Sequence, residues 1–361
     1  MMHTRNPKNF FLKTISRNYC LLAWLFIMLF FPSFLRAGSS PQCGTNPLFF
    51  GVALDGYPIT KDRLKSVTDE IEVSPHMVVF FLQWPPMKDQ KSGPFPEESL
   101  NAIWNSGAIP CLTWEPMHHS EGREAMVPWQ SILDGAYDGY LKGFAKEAVS
   151  WNRPFMIRFA HEMNIARYHW GTEPSGYGPE SPYIYRRMFR YVASLFQKAG
   201  VQNVLWVFCP NAESVPDRSY DSAASWNRME AYYPGDAYVD ILGMDGYNWG
   251  TTQTKAINGW DSQWREFAAM FRPAYEKLRR LAPDKPIFVF ETATVDKGGD
   301  KGLWIKNAFE TAREWKLNGL VWFQVNKEYD WRINSVQAVS YGNRIGPTGC
   351  SPHEWIRGLT K

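Results

Sequence analysis

Metal binding, nucleotide binding and membrane insertion each leave marks that this chain lacks. Its five cysteines do not stand at zinc-ligand spacings. The run "HEMNI" lacks the second histidine of a zinc-binding His-Glu-x-x-His, and no His-x-His ends the first strand-like run. No cofactor and no metal are expected. A dinucleotide fold would place a glycine-rich turn after that first run, where "ALDGYP" stands instead. Internal repeats and low-complexity tracts are also missing. The one long apolar run, "CLLAWLFIMLFF" (20–31), is shorter than the roughly 20 residues a membrane span needs.

That run follows Arg5, Lys8, Lys13 and Arg17 and precedes the small residues of "RAGSS". The pattern is that of a secretory signal over 1–37, cleaved near Ala37 to leave a mature chain from Gly38. The expected location is secreted or periplasmic, with no stable membrane insertion once the signal is removed. With Arg36, residues 1–37 carry five basic groups and no acidic one, so the formal charge falls from +3 to 3 − 5 = −2. The basic excess belongs to the signal and gives no reason to expect a nucleic-acid partner. A monomer is expected. Cys20 leaves with the signal, Cys111 and Cys209 sit in apolar runs as buried thiols, and Cys43 and Cys350 are placed so that export permits a disulfide.

Aromatic residues make up 16% of the chain, with 17 tryptophans, more than a core alone requires. Flat rings that line a sugar-binding cleft would account for the rest. Eight short apolar runs alternate with amphipathic stretches: 48–56, 76–84, 108–116, 154–162, 203–211, 239–248, 286–294 and 319–326. Near-continuous apolar strands are expected where both faces of a parallel sheet are covered. The alternation predicts a single-domain α/β fold, a (β/α)8 barrel over 38–361, with a doubly wound open sheet as the alternative. Residues 334–351 are rich in glycine and serine and read as a long loop before a last helix, "PHEWIRGL".

In such a barrel, chemistry gathers where the strands run out. The polar residues there are Asp55, Gln83, Glu115, His161 with Glu162, Asn211, Asp245 with Tyr247 and Asn248, Glu291, and Gln324 with Asn326. Glu162 ends the fourth run and Glu291 the seventh, so the two can face each other across the barrel mouth. Glycoside hydrolysis uses such a pair, with carboxyls about 5–5.5 Å apart when configuration is retained and about 6.5–9.5 Å apart when it is inverted. Arg158, four residues before Glu162, faces the same side of an extended strand. It reads equally well as a group holding a carboxylate ionised or as an ordinary ion-pair partner.

The runs "RFAHEMN", "YYPGDAYVDILGMDGYN", "PIFVFETAT" and "DWRINS" together resemble glycoside hydrolase family 26, over roughly 48–334. The resemblance implies a (β/α)8 barrel without cofactor and a retaining endo-β-glycanase that forms a glycosyl-enzyme. Glu162 would then be the acid/base and Glu291 the nucleophile. His161 would support the reacting sugar, and the Tyr247 hydroxyl would steady the nucleophile. Trp322 would be a floor for the sugar. Trp170, Trp114 and Tyr168 would be further subsite rings, and His118 or its neighbour His119 a hydroxyl contact. The chain departs from mannanases of the family after His-Glu-Met-Asn, with Ile165 in place of a glycine and Tyr168 where tryptophan is common. The polysaccharide substrate is therefore β-1,4-mannan or a related glycan. A β-1,3-1,4-glucan and the trimming of an exopolysaccharide are the alternatives within the family. A polysaccharide-binding barrel without catalysis and a metal-dependent barrel hydrolase remain as other classes.

Overall fold

Each apolar run becomes a strand because Val, Ile, Leu and Phe fill both of its faces, one toward the barrel interior and one toward covering helices. The computed structural model describes residues 47–86, 93–342 and 350–360, all of which fall in one compact unit. The strands in chain order are β1 (Phe49–Leu54), β2 (Met77–Gln83), β3 (Ile109–Glu115), β4 (Met117–Ser120), β5 (Arg123–Met126), β6 (Phe155–Phe159), β7 (Val204–Phe208), β8 (Ile241–Asn248), β9 (Ile287–Thr294) and β10 (Gly319–Phe323). All except β4 and β5 close into a barrel in the order β1-β10-β9-β8-β7-β6-β3-β2. Every neighbouring pair in it is parallel. This is the (β/α)8 barrel that the alternation of runs predicts. Its fourth strand is β6 and its seventh β9.

The helices follow the same logic. Ser181–Lys198 buries Ile184, Tyr185, Met188, Phe189, Val192 and Phe196, a spacing that draws one apolar stripe down the helix. Phe267–Leu281 buries Phe267, Met270, Phe271, Ala274 and Leu278 in the same way.

The loop after β3, which carries His118 and His119, is built as a hairpin: β4 and β5 pair antiparallel, from Met117↔Met126 to Ser120↔Arg123. Its tip, Glu121–Gly122, has positive φ at both residues, the backbone of a tight hairpin turn whose twist suits its strands. Within 334–351, Ser335–Gly342 is a helix rather than loop. The Asn334 side chain accepts from the Gln337 N–H at 3.0 Å, and the Gln337 side chain accepts from the Asn334 N–H at 3.1 Å. That reciprocal cap satisfies donors at the helix start and outweighs the loop-like composition. The last helix forms at Pro352–Leu359.

Cys111 and Cys209 are free and buried. Cys350 is disulfide-bonded, while Cys43, whose bonding to it the sequence leaves open, lies outside the described residues. So do the apolar run and the cleavage site expected near Ala37. Among the described residues no helix is long and apolar enough to cross a membrane.

Candidate active site

Glu162 stands three residues past β6. The chain leaves that strand through two non-glycine residues of positive φ, Ala160 at 48° and Glu162 at 51°, each of which costs of order 1–3 kcal/mol. Backbone bonds hold the path. The Ala160 N–H donates to the Trp114 carbonyl at 3.1 Å, and the Glu162 N–H to the Cys209 carbonyl at 2.8 Å. The Glu162 carboxyl accepts one hydrogen bond, from Asn211 Nδ2 at 2.7 Å. Asn211 is itself fixed by Asn164, whose Oδ1 accepts the Asn211 N–H at 2.8 Å and whose Nδ2 donates to the Asn211 carbonyl at 2.9 Å. Glu162 is only 7% exposed. Burial, followed by the negative charge of Glu291, raises its pKa to about 7 against the pull of the Asn211 bond.

Glu291 sits in the opposite environment. The Arg158 guanidinium donates to one of its oxygens, and the Tyr247 hydroxyl donates to the other at 2.5 Å. Arg158 is fully buried and also donates to Asp245 at 2.6 Å and to Thr113 Oγ1 at 2.7 and 2.9 Å. Burial alone would lower the Arg158 pKa, but Asp245 and Glu291 hold it well above its ordinary value. The guanidinium is therefore a fixed cation under Glu291. Burial and the charges of Glu291 and Glu162 push the Tyr247 hydroxyl upward, so it remains a donor. Glu291 is thus fixed between a cation on one oxygen and a hydroxyl donor on the other.

His161 is 1% exposed. Burial, then Arg158 and Arg167, lower its pKa well below the usual histidine range, so the ring is neutral. Among the described residues its Nδ1 has no hydrogen-bond partner. The ring packs 4.7 Å from Tyr168 and 6.2 Å from Phe81, centroid to centroid. Burial, then Glu162, Glu115 and Glu291, raise the Tyr168 pKa, so its hydroxyl stays protonated. Arg167 lies over the Tyr168 ring and pairs at 2.6 Å with Glu124 of the hairpin. His118 and His119 lie on β4 of that hairpin, and His119 Nε2 comes 3.4 Å from Gln83 Nε2.

Two tryptophans expected to touch sugar, Trp114 and Trp322, do not stand where they can. Trp114 is fully buried among Trp84, Tyr140, Phe144, Phe159 and Phe196, and its N–H donates to the Tyr140 hydroxyl. Its neighbour Thr113 meets Arg158 inside the barrel, so alternation sends Trp114 out under the helices. Trp322 is also fully buried, beside Trp304 of the helix Lys301–Glu314, with its N–H on the Trp331 carbonyl. Phe323, one residue on, lies 5.6 Å from Tyr247 in its place. Trp170 is 5% exposed; it stacks on Tyr168 at 5.0 Å and donates to the His161 carbonyl at 2.6 Å.

Asp245, Asn211, Asn164 and Thr113 complete the network without having been singled out in the sequence. Asp245 and Asn211 carried a signal, as polar residues at strand ends. Other strand-end residues turn out to be braces: Gln324 exchanges two hydrogen bonds with the Ile333 backbone, and Asn248 donates to Thr294 Oγ1.

A model of glycosyl hydrolase family 26 matches residues 141–293, the stretch that holds Arg158, His161, Glu162, Asn211, Asp245, Tyr247 and Glu291. The chain belongs to that family. Endoglucanase H of Acetivibrio thermocellus is 34% identical to this family 26 chain over 258 residues, 70% of this chain and 26% of that protein. A mannan endo-1,4-beta-mannosidase of Bacillus subtilis is 33% identical over 113 residues, 29% of this chain and 26% of that protein. The chain thus spans about a quarter of the length of these two relatives in the matched regions. A family 26 β-mannanase from Bacteroides ovatus shares the fold, with a TM-score of 0.57 at 17% identity, covering 85% of this chain and 93% of that one. A Bacillus subtilis mannanase superposes with a TM-score of 0.57 at 18% identity, covering 82% and 86%.

Proposed function

We propose that this family 26 chain hydrolyses β-glycosidic bonds within a polysaccharide and retains the anomeric configuration. The observation that carries the reading is the contrast between two carboxyls at one barrel mouth. Glu291 is gripped by the Arg158 cation and the Tyr247 hydroxyl, while burial and the Glu291 charge keep the Glu162 proton on until about pH 7. Such a divergence assigns an acid and a nucleophile to a pair of like groups. Glu291 attacks the anomeric carbon as the glycosidic C–O bond breaks, and the proton of Glu162 goes to the departing oxygen. Glu162, now a carboxylate, takes a proton from water. The resulting oxygen nucleophile attacks the same carbon and displaces Glu291, and the two inversions sum to retention. Neutral His161 and the Tyr168 hydroxyl line the cleft and contact the sugar.

The substrate proposed is β-1,4-mannan. A β-glucan is the second reading, favoured by the match to Endoglucanase H over 70% of this chain. Mannose and glucose differ only at C2, beside the reacting carbon, so the distinction is made close to the carboxyls. The N-terminal pattern over 1–37 supports export, with 38–361 as a single catalytic domain acting outside the cytoplasm. The test is sugar release from mannan, glucomannan, lichenan and xylan, with the first-formed anomer followed by NMR. A β product from mannan is expected. Preferential cutting of lichenan selects the glucan reading, and an α product overturns retention.

The first step needs Glu162 protonated, so kcat/KM falls as pH rises through about 7. Asn211 donates to the charged form and so lowers this pKa. Asn211→Ala removes that bond and shifts the alkaline limb of the pH–rate profile upward. A limb that stays in place or moves toward acid would show that Asn211 does not tune the acid.

A further inference from the structure

A third carboxyl faces the site and has no task in the chemistry above. Glu115 ends β3, two residues beyond Thr113 and on the same inward side of the strand. Thr113 binds Arg158 in the barrel interior, so Glu115 stands one layer nearer the mouth. It is 5% exposed, yet its carboxyl makes no hydrogen bond or ion pair with any described residue. Neither of its oxygens is sealed away from solvent without a partner, so the carboxyl opens to the cleft and can meet a polar group that enters it. The cleft wall above it is built: the hairpin begins two residues on, and its Glu124 is tied to Arg167 of the loop that carries Glu162. Burial, then Glu291, raise the Glu115 pKa to about 8, against the pull of Arg158. At neutral pH this carboxyl is protonated and can both donate and accept.

We propose that Glu115 is a substrate-binding residue, its carboxyl exchanging hydrogen bonds with a hydroxyl of the sugar held between Glu162 and Glu291. The inference rests on the hydrolase reading above. A neutral acid suits a hydroxyl, which is also both donor and acceptor, and it adds no second anion beside the nucleophile.

The experiment compares wild type, Glu115→Gln and Glu115→Ala on mannohexaose and on a mixed-linkage β-glucan hexasaccharide, with thermal melting of each protein. A site built to hydrogen-bond a hydroxyl loses binding steeply when the bond is removed. Glu115→Ala is expected to lower kcat/KM about 10- to 100-fold, with Tm unchanged or raised because no internal partner is lost. Glu115→Gln, which can still donate and accept, is expected to recover most of the loss. Glu115→Ala with kcat/KM within about twofold of wild type, or with a lowered Tm as its only effect, overturns the inference. So does rescue of Glu115→Ala by azide, which would make Glu115 the acid/base. Wild type that neither cuts nor binds either sugar overturns the hydrolase reading, and this inference with it.

Discussion

Glu291→Ala is expected to lower kcat on every glycoside tested by on the order of 10^4- to 10^6-fold, the scale on which enzymes lose activity when a nucleophile is removed. Removal takes away the only group that forms the bond to the anomeric carbon, and a good leaving group cannot compensate. The same substitution leaves Arg158 with Asp245 as its one remaining carboxylate partner. Breaking a buried ion pair is destabilising by about 3–5 kcal/mol when the remaining charge has no other partner; here Asp245 and Thr113 lessen that penalty. Melting of the variant must therefore accompany its kinetics, and Glu291→Gln, which keeps a hydrogen-bond acceptor near Arg158, serves as the gentler control. Azide can replace the missing nucleophile from the same face, but a single displacement then gives the inverted glycosyl azide. A retained azide product from Glu291→Ala would exchange the roles of the two glutamates.

Glu162→Ala should separate substrates by their leaving group. General acid catalysis contributes about 10^2- to 10^4-fold, and the contribution is largest where the departing oxygen is a sugar hydroxyl. Polysaccharide cleavage should fall by that order. Aryl oligosaccharides with an acidic phenol need little protonation, so their first step should survive, with a burst of phenol and an accumulating glycosyl-enzyme. The second step then stalls, because water has lost its base. Azide needs no base and should restore turnover with retained configuration. The measurement is burst kinetics with and without azide. Complete loss on both substrate types under both conditions would leave Glu162 without the proposed role.

How much of this was legible depended on whether the information was local. Eight strands could be read because burial on both faces makes each a continuous apolar run, and Glu162 and Glu291 were visible as acids where such runs stop. That same continuity hid the tryptophans. A half-buried strand shows by alternation which residues face in. A strand apolar on both faces does not, so Trp114 and Trp322 gave no sign of facing the helices. Asp245 and Asn211 look like ordinary strand-end residues until Arg158, 87 residues from Asp245, and Glu162, 49 residues from Asn211, are brought to them. Glu115 too showed only as a polar strand end, and what sets it apart, the lack of a partner among the described residues, no sequence displays.

The cation beneath Glu291 bears on how the barrel assembles. Thr113, Arg158, Asp245 and Glu291 come from β3, β6, β8 and β9, and the β8–β9 pairing shifts register between Met244 and Asp245 to set Asp245 opposite Glu291. A slip of one residue in β8 would turn Asp245 toward the helices and leave its partner's charge short of a counter-ion, whereas the surrounding aliphatic contacts would tolerate the change far better. Apolar strands of this kind hold one another firmly but specify alignment weakly. The ionic layer discriminates the correct alignment from its neighbours, so the groups that prepare the nucleophile also guard the barrel against misthreading.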